Sequence, residues 1–232
     1  MRCKLRAGLP RQLLLPLPVL LPLLLLLVAG QASLGFAAAA AAQTSLDAYL
    51  DDLKTLRASF VQTLVDAHGK QIDRSSGVLI VVRPGRFSWE IHPQASQSDA
   101  GQLMVADSRN LWFLDRDLQQ VTVKPVDAAL SATPAMLLSG TGDFRRNFNI
   151  TAAPHRDGLD WVLVSPHGTE ADFRQALLGF QGKELKRMIL EDKLGQTATV
   201  TFDHVERNVP ISPEQVSFTP PPGVDVIGTP QK

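Results

Sequence analysis

The sequence predicts a mainly β protein with short helices, an α+β arrangement built on one large antiparallel sheet. From residue 58 onward, about a dozen β-prone runs are separated by Gly, Pro, Asn and Asp. Most of these runs are joined by short turns, whereas a parallel crossover would need about a dozen residues or more. Only two stretches have helical spacing. We therefore expect a curved antiparallel sheet that is open along one side.

The first 42 residues have the composition of a cleavable secretory signal peptide, which leaves residues 43–232 as a single domain. Four basic residues precede the apolar run from Leu13 to Ala29, and an alanine run to Ala42 follows it. A permanent N-terminal anchor is the alternative. The one cysteine, Cys3, lies ahead of the apolar run, so we expect neither a lipid anchor nor a disulfide in the mature protein, which should be soluble.

The composition of the mature chain disfavours several classes of function. Residues 43–232 contain 19 basic and 23 acidic residues, and this net charge of −4 disfavours nucleic acid and anionic membranes as partners. The five histidines lack helical i, i+4 pairing, so we predict no metal site. No Walker-type phosphate loop and no G-x-S-x-G elbow occurs. We predict no catalysis and no cofactor, with a secreted hydrolase as the remote alternative.

Two short helices are expected to accompany the strands. The first follows Thr44, a candidate N-cap with Asp47 three residues further on. The second has Thr133 as its N-cap and Pro134 in its first turn, and it stops at Gly140. Apolar residues recur at helical spacing in the first helix: Leu46, Tyr49, Leu50, Leu53 and Leu56. Strands are predicted at 58–66, 71–83, 86–92, 102–107, 111–115, 118–124, 147–153, 159–165, 172–181, 184–192, 196–207 and 215–219.

The segment from Val78 to Trp89 combines a long apolar strand, one arginine, a proline turn and two aromatic side chains. Arg83 is the only charged residue between Gly77 and Pro84. Because a desolvated cation without a partner is costly, we expect Arg83 to find its partner on a movable lid. A sheet of this width encloses more volume than two short helices fill, which favours an apolar cavity. A solid core is the alternative.

The order of these features resembles the outer-membrane lipoprotein carrier family LolA over essentially the whole mature chain. The family's motifs occur in this sequence as short blocks, in the same order as in the family and after the predicted signal peptide. The matching blocks are Ala58-Ser59-Phe60-Val61-Gln62, Gly77-Val78-Leu79, Arg83-Pro84, Phe87-Ser88-Trp89, Leu111-Trp112-Phe113, Gln120-Val121-Thr122, Thr133-Pro134-Ala135-Met136-Leu137-Leu138 and Phe218-Thr219-Pro220-Pro221-Pro222-Gly223-Val224.

The resemblance implies an incomplete β-barrel whose apolar cavity is covered by a helical lid. It implies a periplasmic monomer that takes triacylated lipoproteins from an ATP-driven, LolCDE-like inner-membrane complex and passes them to the outer-membrane receptor LolB. Arg83 matches the family's lid-latching arginine, which hydrogen-bonds lid carbonyls. Phe87 matches an aromatic residue associated with passing cargo forward. A carrier of another lipid, or an envelope lipoprotein sensor with this fold, is the alternative.

The expected site residues fall into two further groups. Candidates for lining the acyl-chain cavity are Phe60, Leu79, Val81, Phe87, Trp89, Trp112, Met136, Leu137 and Leu138. Candidates on the first lid helix are Leu46, Tyr49, Leu50 and Leu53.

Overall fold

The computed structural model describes residues 43–94, 100–126, 134–140, 144–168, 171 and 173–231. The predicted signal peptide and the predicted N-cap Thr133 lie outside these residues. Residues 41–232 group into one compact unit.

Within the described residues, twelve strands form a single curved sheet, which confirms the prediction of a mainly β protein with short helices and one open sheet. The strands are β1 (Thr55–Val65), β2 (Gln71–Val82), β3 (Arg86–Pro93), β4 (Gln102–Asp107), β5 (Asn110–Asp115), β6 (Gln120–Pro125), β7 (Phe148–Arg156), β8 (Leu159–Pro166), β9 (Phe173–Gln181), β10 (Glu184–Asp192), β11 (Thr197–Arg207) and β12 (Asp225–Ile227). Their order across the sheet is β12-β6-β5-β4-β3-β2-β1-β11-β10-β9-β8-β7. The sheet is open, because β12 and β7 are its two edges and do not pair with each other.

Ten of the eleven strand pairings are antiparallel, as the short turns predict. The exception is the parallel pairing of β12 with β6. β6 and β12 are not consecutive along the chain, so no tight turn requires them to be antiparallel.

Two short helices lie on one face of this sheet. Helix α1 (Ser45–Leu50) begins with a capping box, in which the Thr44 hydroxyl accepts from the Asp47 N–H and the Asp47 carboxylate accepts from the Thr44 N–H. The helix ends six residues before the end of the predicted apolar pattern, so Leu53 lies in the connection to β1 and Leu56 lies on β1 itself. Helix α2 (Pro134–Ser139) is followed by Gly140, whose φ of +69° favours glycine. No helix in the described part of the chain has the length and apolar character of a membrane span.

Side chains alternate between two faces of the sheet, and each face has its own apolar cluster. The inner face, which the helices cover, includes Phe60, Leu79, Phe87, Leu178 and Met188 in one continuous core with both helices. The outer face of β4 to β6 has a smaller cluster that includes Val105, Trp112, Leu114, Val121 and Val123. The helices therefore bury one side of the sheet only.

The C-terminal segment covers the outer cluster, and here one predicted strand is wrong. Residues 215–219 are not a strand: Pro213–Val216 forms a 3-10 turn that begins with a Ser212/Gln215 capping box. Proline removes a ladder donor and the box favours a turn, which explains the difference. Phe218 and Val224 then pack against the outer cluster.

Candidate binding site at the ends of two helices

The functional candidate Arg83 lies in the tight turn between β2 and β3. Its main-chain N–H donates to the Lys54 carbonyl at 2.9 Å, which ties the turn to the segment that leads from α1 into β1. The side chain is half-buried. The turn is therefore fixed next to the C-terminal end of α1.

The C-terminal ends of both helices meet at this turn. The Arg83 Nη1 donates to the Leu50 carbonyl, the last of α1, at 2.6 Å. The Gly85 N–H donates to the Ser139 carbonyl, the last of α2, at 2.8 Å. These bonds satisfy carbonyls that have no partner within their own helices.

Because Gly140 has no side chain, the Arg83 guanidinium can occupy the space next to its Cα atom. A Cβ atom at this position would lie 2.5 Å from both Nε and Nη2 of Arg83, closer than atoms can approach. The Arg83 side chain thus passes from the end of α1 across the residue that follows α2. One arginine touches both helices.

The charge of Arg83 is maintained in this half-buried position. Burial lowers the pKa of Arg83, and the nearby Asp51 carboxylate opposes that shift. An arginine pKa starts far above neutrality, so the guanidinium stays protonated. The bond to Leu50 is therefore charge-assisted.

Two further arginines hold α1, and the sequence reasoning missed both. Arg207 at the end of β11 donates to the Tyr49 carbonyl at 3.0 Å, pairs with Asp52 and stacks over the Tyr49 ring at 4.6 Å. Arg145 forms a 2.6 Å ion pair with Asp47. Neither contact has a local sequence signal, because the partners are about a hundred residues or more apart.

Most of the predicted cavity residues come together on the inner face. Eight of them belong to the inner cluster: Phe60, Leu79, Val81, Phe87, Trp89, Met136, Leu137 and Leu138. The predicted helix residues Leu46, Tyr49, Leu50 and Leu53 join the same cluster. All twelve are buried.

Trp112 does not belong to this set, contrary to the prediction. It lies on the outer face, where its Nε1 donates to the Asp107 carboxylate at 2.7 Å and its ring contacts Phe218. Its neighbour Leu111 faces the inner cluster. The strict alternation of side chains along a strand explains why one of these two adjacent residues had to point outward.

The helices fill the apolar inner face in this conformation. Tyr49 packs against Phe180 at 5.3 Å between ring centroids, and Phe60 meets Trp89 edge-on at 5.8 Å. Toward the hairpins at the other end of the strands the inner face becomes more exposed, and a recess of about 300 Å³ lies there beside Gln62 and Asp73. Among the described residues, no group of three or more His, Cys, Asp or Glu is placed to hold a metal ion.

Comparison with known proteins identifies the family. The sequence model of the family described as outer membrane lipoprotein carrier protein LolA matches residues 51–219 of this chain. An outer-membrane lipoprotein carrier protein of Dechloromonas aromatica is 37% identical over 189 residues, which are 82% of this chain and 88% of that protein. One from Nitrosospira multiformis is 38% identical over 184 residues, 79% of this chain and 86% of that protein. The chain belongs to the LolA family of outer-membrane lipoprotein carrier proteins.

A solved structure of low similarity was also found. The LolA superfamily protein of Nitrosomonas europaea aligns with a TM-score of 0.43 at 11% identity, covering 76% of this chain and 99% of that chain. This likeness is too low to support an argument, and the family assignment depends on the sequence matches.

Proposed function

We propose that this protein is a periplasmic carrier that binds the acyl chains of lipoproteins noncovalently and delivers them for insertion into the outer membrane. The observation that carries this proposal is membership of the LolA family over nearly all of the described chain. The donor would be an ATP-driven, LolCDE-like complex of the inner membrane, and the acceptor would be a LolB receptor. The carrier itself performs no chemical reaction.

The apolar inner face supports this proposal on energetic grounds. Each methylene that is removed from water contributes about 0.8 kcal/mol, so three acyl chains need an extensive apolar surface. An empty carrier would expose that surface, which monomeric proteins avoid. Helices α1 and α2 cover it with their own apolar side chains. We propose that they are a lid, and that acyl chains take their place when the lid opens.

Arg83 is the proposed latch of this lid. Its bond to Leu50 and its contact with Gly140 exist only while both helix ends lie at the β2–β3 turn. A charge-assisted hydrogen bond contributes about 1.5–3 kcal/mol, which favours the closed form without making it permanent. Closing then helps to expel the cargo at the acceptor.

The first prediction concerns the variant Arg83→Leu. It should fold, but its closed form is less stable, so the ratio of loaded to empty carrier at a given cargo concentration should rise about ten- to a hundredfold. The measurement is the fraction of carrier that co-purifies with acylated polypeptide from the periplasm, determined by mass spectrometry. A second measurement is the transfer of labelled lipoprotein to outer-membrane vesicles.

Arg86→Leu is the matched control for this experiment. Arg86 is also half-buried and lies three residues away, at the start of β3. The Arg86→Leu variant should bind and deliver acylated cargo like the wild type. Wild-type delivery by Arg83→Leu would exclude the latch, whereas wild-type protein without any acylated cargo would contradict the carrier function itself.

A further inference from the structure

The inner face has two chemically different ends along its strands. At the end near Arg83, Leu79, Val81 and Phe87 are fully buried and apolar. At the opposite end, the inner-face residues of β1, β2 and β4 are Gln62, Asp73 and Gln102, which are partly or largely exposed. A lipoprotein cargo is polar at one end too, because its hydrocarbon chains meet at ester and amide carbonyls.

The recess of about 300 Å³ lies at this polar end, and we call it the open-end recess. Its lining residues are Gln62, Leu64, Asp73, Ile91, Pro93, Gly101, Gln102 and Asp117. Those on β1 to β3 have the same strand parity as Phe60, Leu79 and Trp89, so the recess opens on the inner face.

Ser75 lies on β2, next to residues that line the open-end recess. Across the sheet it pairs with Gln62 on β1 and with Pro93 on β3, and along its own strand it follows Asp73 by two residues. All three of these neighbours line the recess. Ser75 is fully buried, and its hydroxyl has no hydrogen-bond partner among the described residues.

On the neighbouring strand β3, Trp89 provides a second hydrogen-bond donor that has no acceptor among the described residues. It is 7% exposed, its Nε1 makes no hydrogen bond among the described residues, and it precedes the recess residue Ile91 by two positions on the same face. An indole N–H can only donate. Buried polar groups are normally paired, so two such groups beside one recess require an explanation.

We propose that the open-end recess binds the carbonyl groups at the polar end of an acylated cargo, with Ser75 and Trp89 as hydrogen-bond donors. This inference deepens the proposed carrier function and rests on it. Hydrocarbon chains alone cannot satisfy either donor, whereas ester and amide carbonyls can accept from both types of group. The cargo would lie with its chains under the helices and its peptide leaving at the hairpin end of the sheet.

The test compares ligands that carry different sets of carbonyl groups. The probes are a dipalmitoyl-glyceryl-cysteine peptide with ester links, its dialkyl ether analogue of equal chain length, and a dipalmitoylglycerol without peptide. Their dissociation constants for the full mature protein are measured by displacement of a fluorescent fatty acid. Ser75→Ala should weaken binding of the ester peptide about fivefold and leave the ether analogue unchanged. Trp89→Phe should show the same difference between ligands.

Ser76→Ala is the matched control. Ser76 is the next residue on β2 and faces outward, so its removal should change neither ligand's affinity. Equal weakening of ester and ether ligands by Ser75→Ala, or no weakening by either variant, would overturn the proposal. Ser75→Ala should also weaken binding of dipalmitoylglycerol, which keeps the ester carbonyls but has no peptide, and an effect on the ester peptide alone would overturn the assignment of Ser75 to the ester carbonyls. If wild-type protein binds none of the probes, the carrier function fails instead.

Discussion

At the scale of single residues, the arrangement around Arg83 depends on the absence of a side chain at Gly140. The guanidinium occupies the position that a Cβ atom would need, and the backbone there has a φ of +69°. Gly140 thus ends α2 and admits Arg83 at the same point. A substitution at this residue should affect the proposed latch as well as local backbone energy.

Gly140→Ala should therefore be more harmful than an ordinary glycine replacement. Strain at positive φ costs about 1 kcal/mol, and displacement of Arg83 from Leu50 should add about 1–2 kcal/mol to the loss of unfolding free energy. Gly158→Ala is the control, because its φ is +73° and a Cβ there meets nothing within 4 Å. Urea unfolding of both variants measures the difference, and equal destabilisation would mean that Arg83 adapts without cost.

Sequence alone could predict Arg83 but not the residues that assist it. Arg83 stands out locally, as a single charge at the end of an apolar strand before a proline. Arg207 has no such setting, and its importance comes from β11 pairing beside β1, which brings it to Tyr49 on α1. Trp112 shows a third case, because an apolar pattern of consecutive residues does not say which one faces inward. Local chemistry is visible in the sequence, whereas strand neighbours are not.

At the scale of elements, α1 is too short to be stable alone and is held at both ends. Its N-terminal end has the Thr44 and Asp47 capping box and the ion pair with Arg145. Its C-terminal end is held by Arg83 and Arg207. Isolated helices of fewer than about 12 residues are marginal in water, so these contacts and the buried face stabilise it.

The charge of Asp47 should make the stability of α1 depend on pH. Burial raises the pKa of Asp47, but hydrogen bonds from Thr44 and Arg145 outweigh this and lower it below 3.8. A depressed pKa means that the stabilising contribution is present above the ordinary value and is lost as pH falls through the folded-state value. Asp47→Asn should therefore cost about 1 kcal/mol at pH 7 and progressively less below about pH 4.

Urea unfolding at pH 7 and at about pH 2.5–3 checks the dependence on Asp47. Asp160→Asn is the control, since Asp160 is exposed and pairs with the exposed His155. Its effect should stay within about 0.5 kcal/mol at either pH. A pH-independent loss in Asp47→Asn would show that the side-chain hydrogen bonds matter and the charge does not.

At the scale of the whole molecule, the sheet uses its two faces for different purposes. The inner face supports the proposed cargo site under α1 and α2, and the outer face of β4 to β6 is covered by the chain's own C-terminal segment. Because one layer of backbone separates the two apolar clusters, a change that uncovers the outer cluster should reduce stability without altering the inner surface.

Removal of residues 224–232 tests this separation. The deletion takes away β12, the contact of Val224 with the outer cluster, and the main-chain bonds that Gln231 makes with the buried Asn110. Exposure of Val121 and Val123 should lower the unfolding free energy by about 2–4 kcal/mol. The deletion also leaves β6 as an unprotected edge strand, so self-association should increase. Urea unfolding and light scattering measure these two effects.

Cargo binding by the truncated protein should be unchanged below its unfolding transition, since the strand residues of the proposed site lie on the opposite face. Gln231→Ala is the control for the deletion: it keeps the main-chain groups that bond Asn110 at 2.7 and 3.0 Å, so its stability should match the wild type. A folded truncated protein that no longer binds acylated peptide would show that the two faces are energetically coupled. That result would mean that the C-terminal segment contributes to cargo binding, because covering the outer face would then help to determine the shape of the inner face.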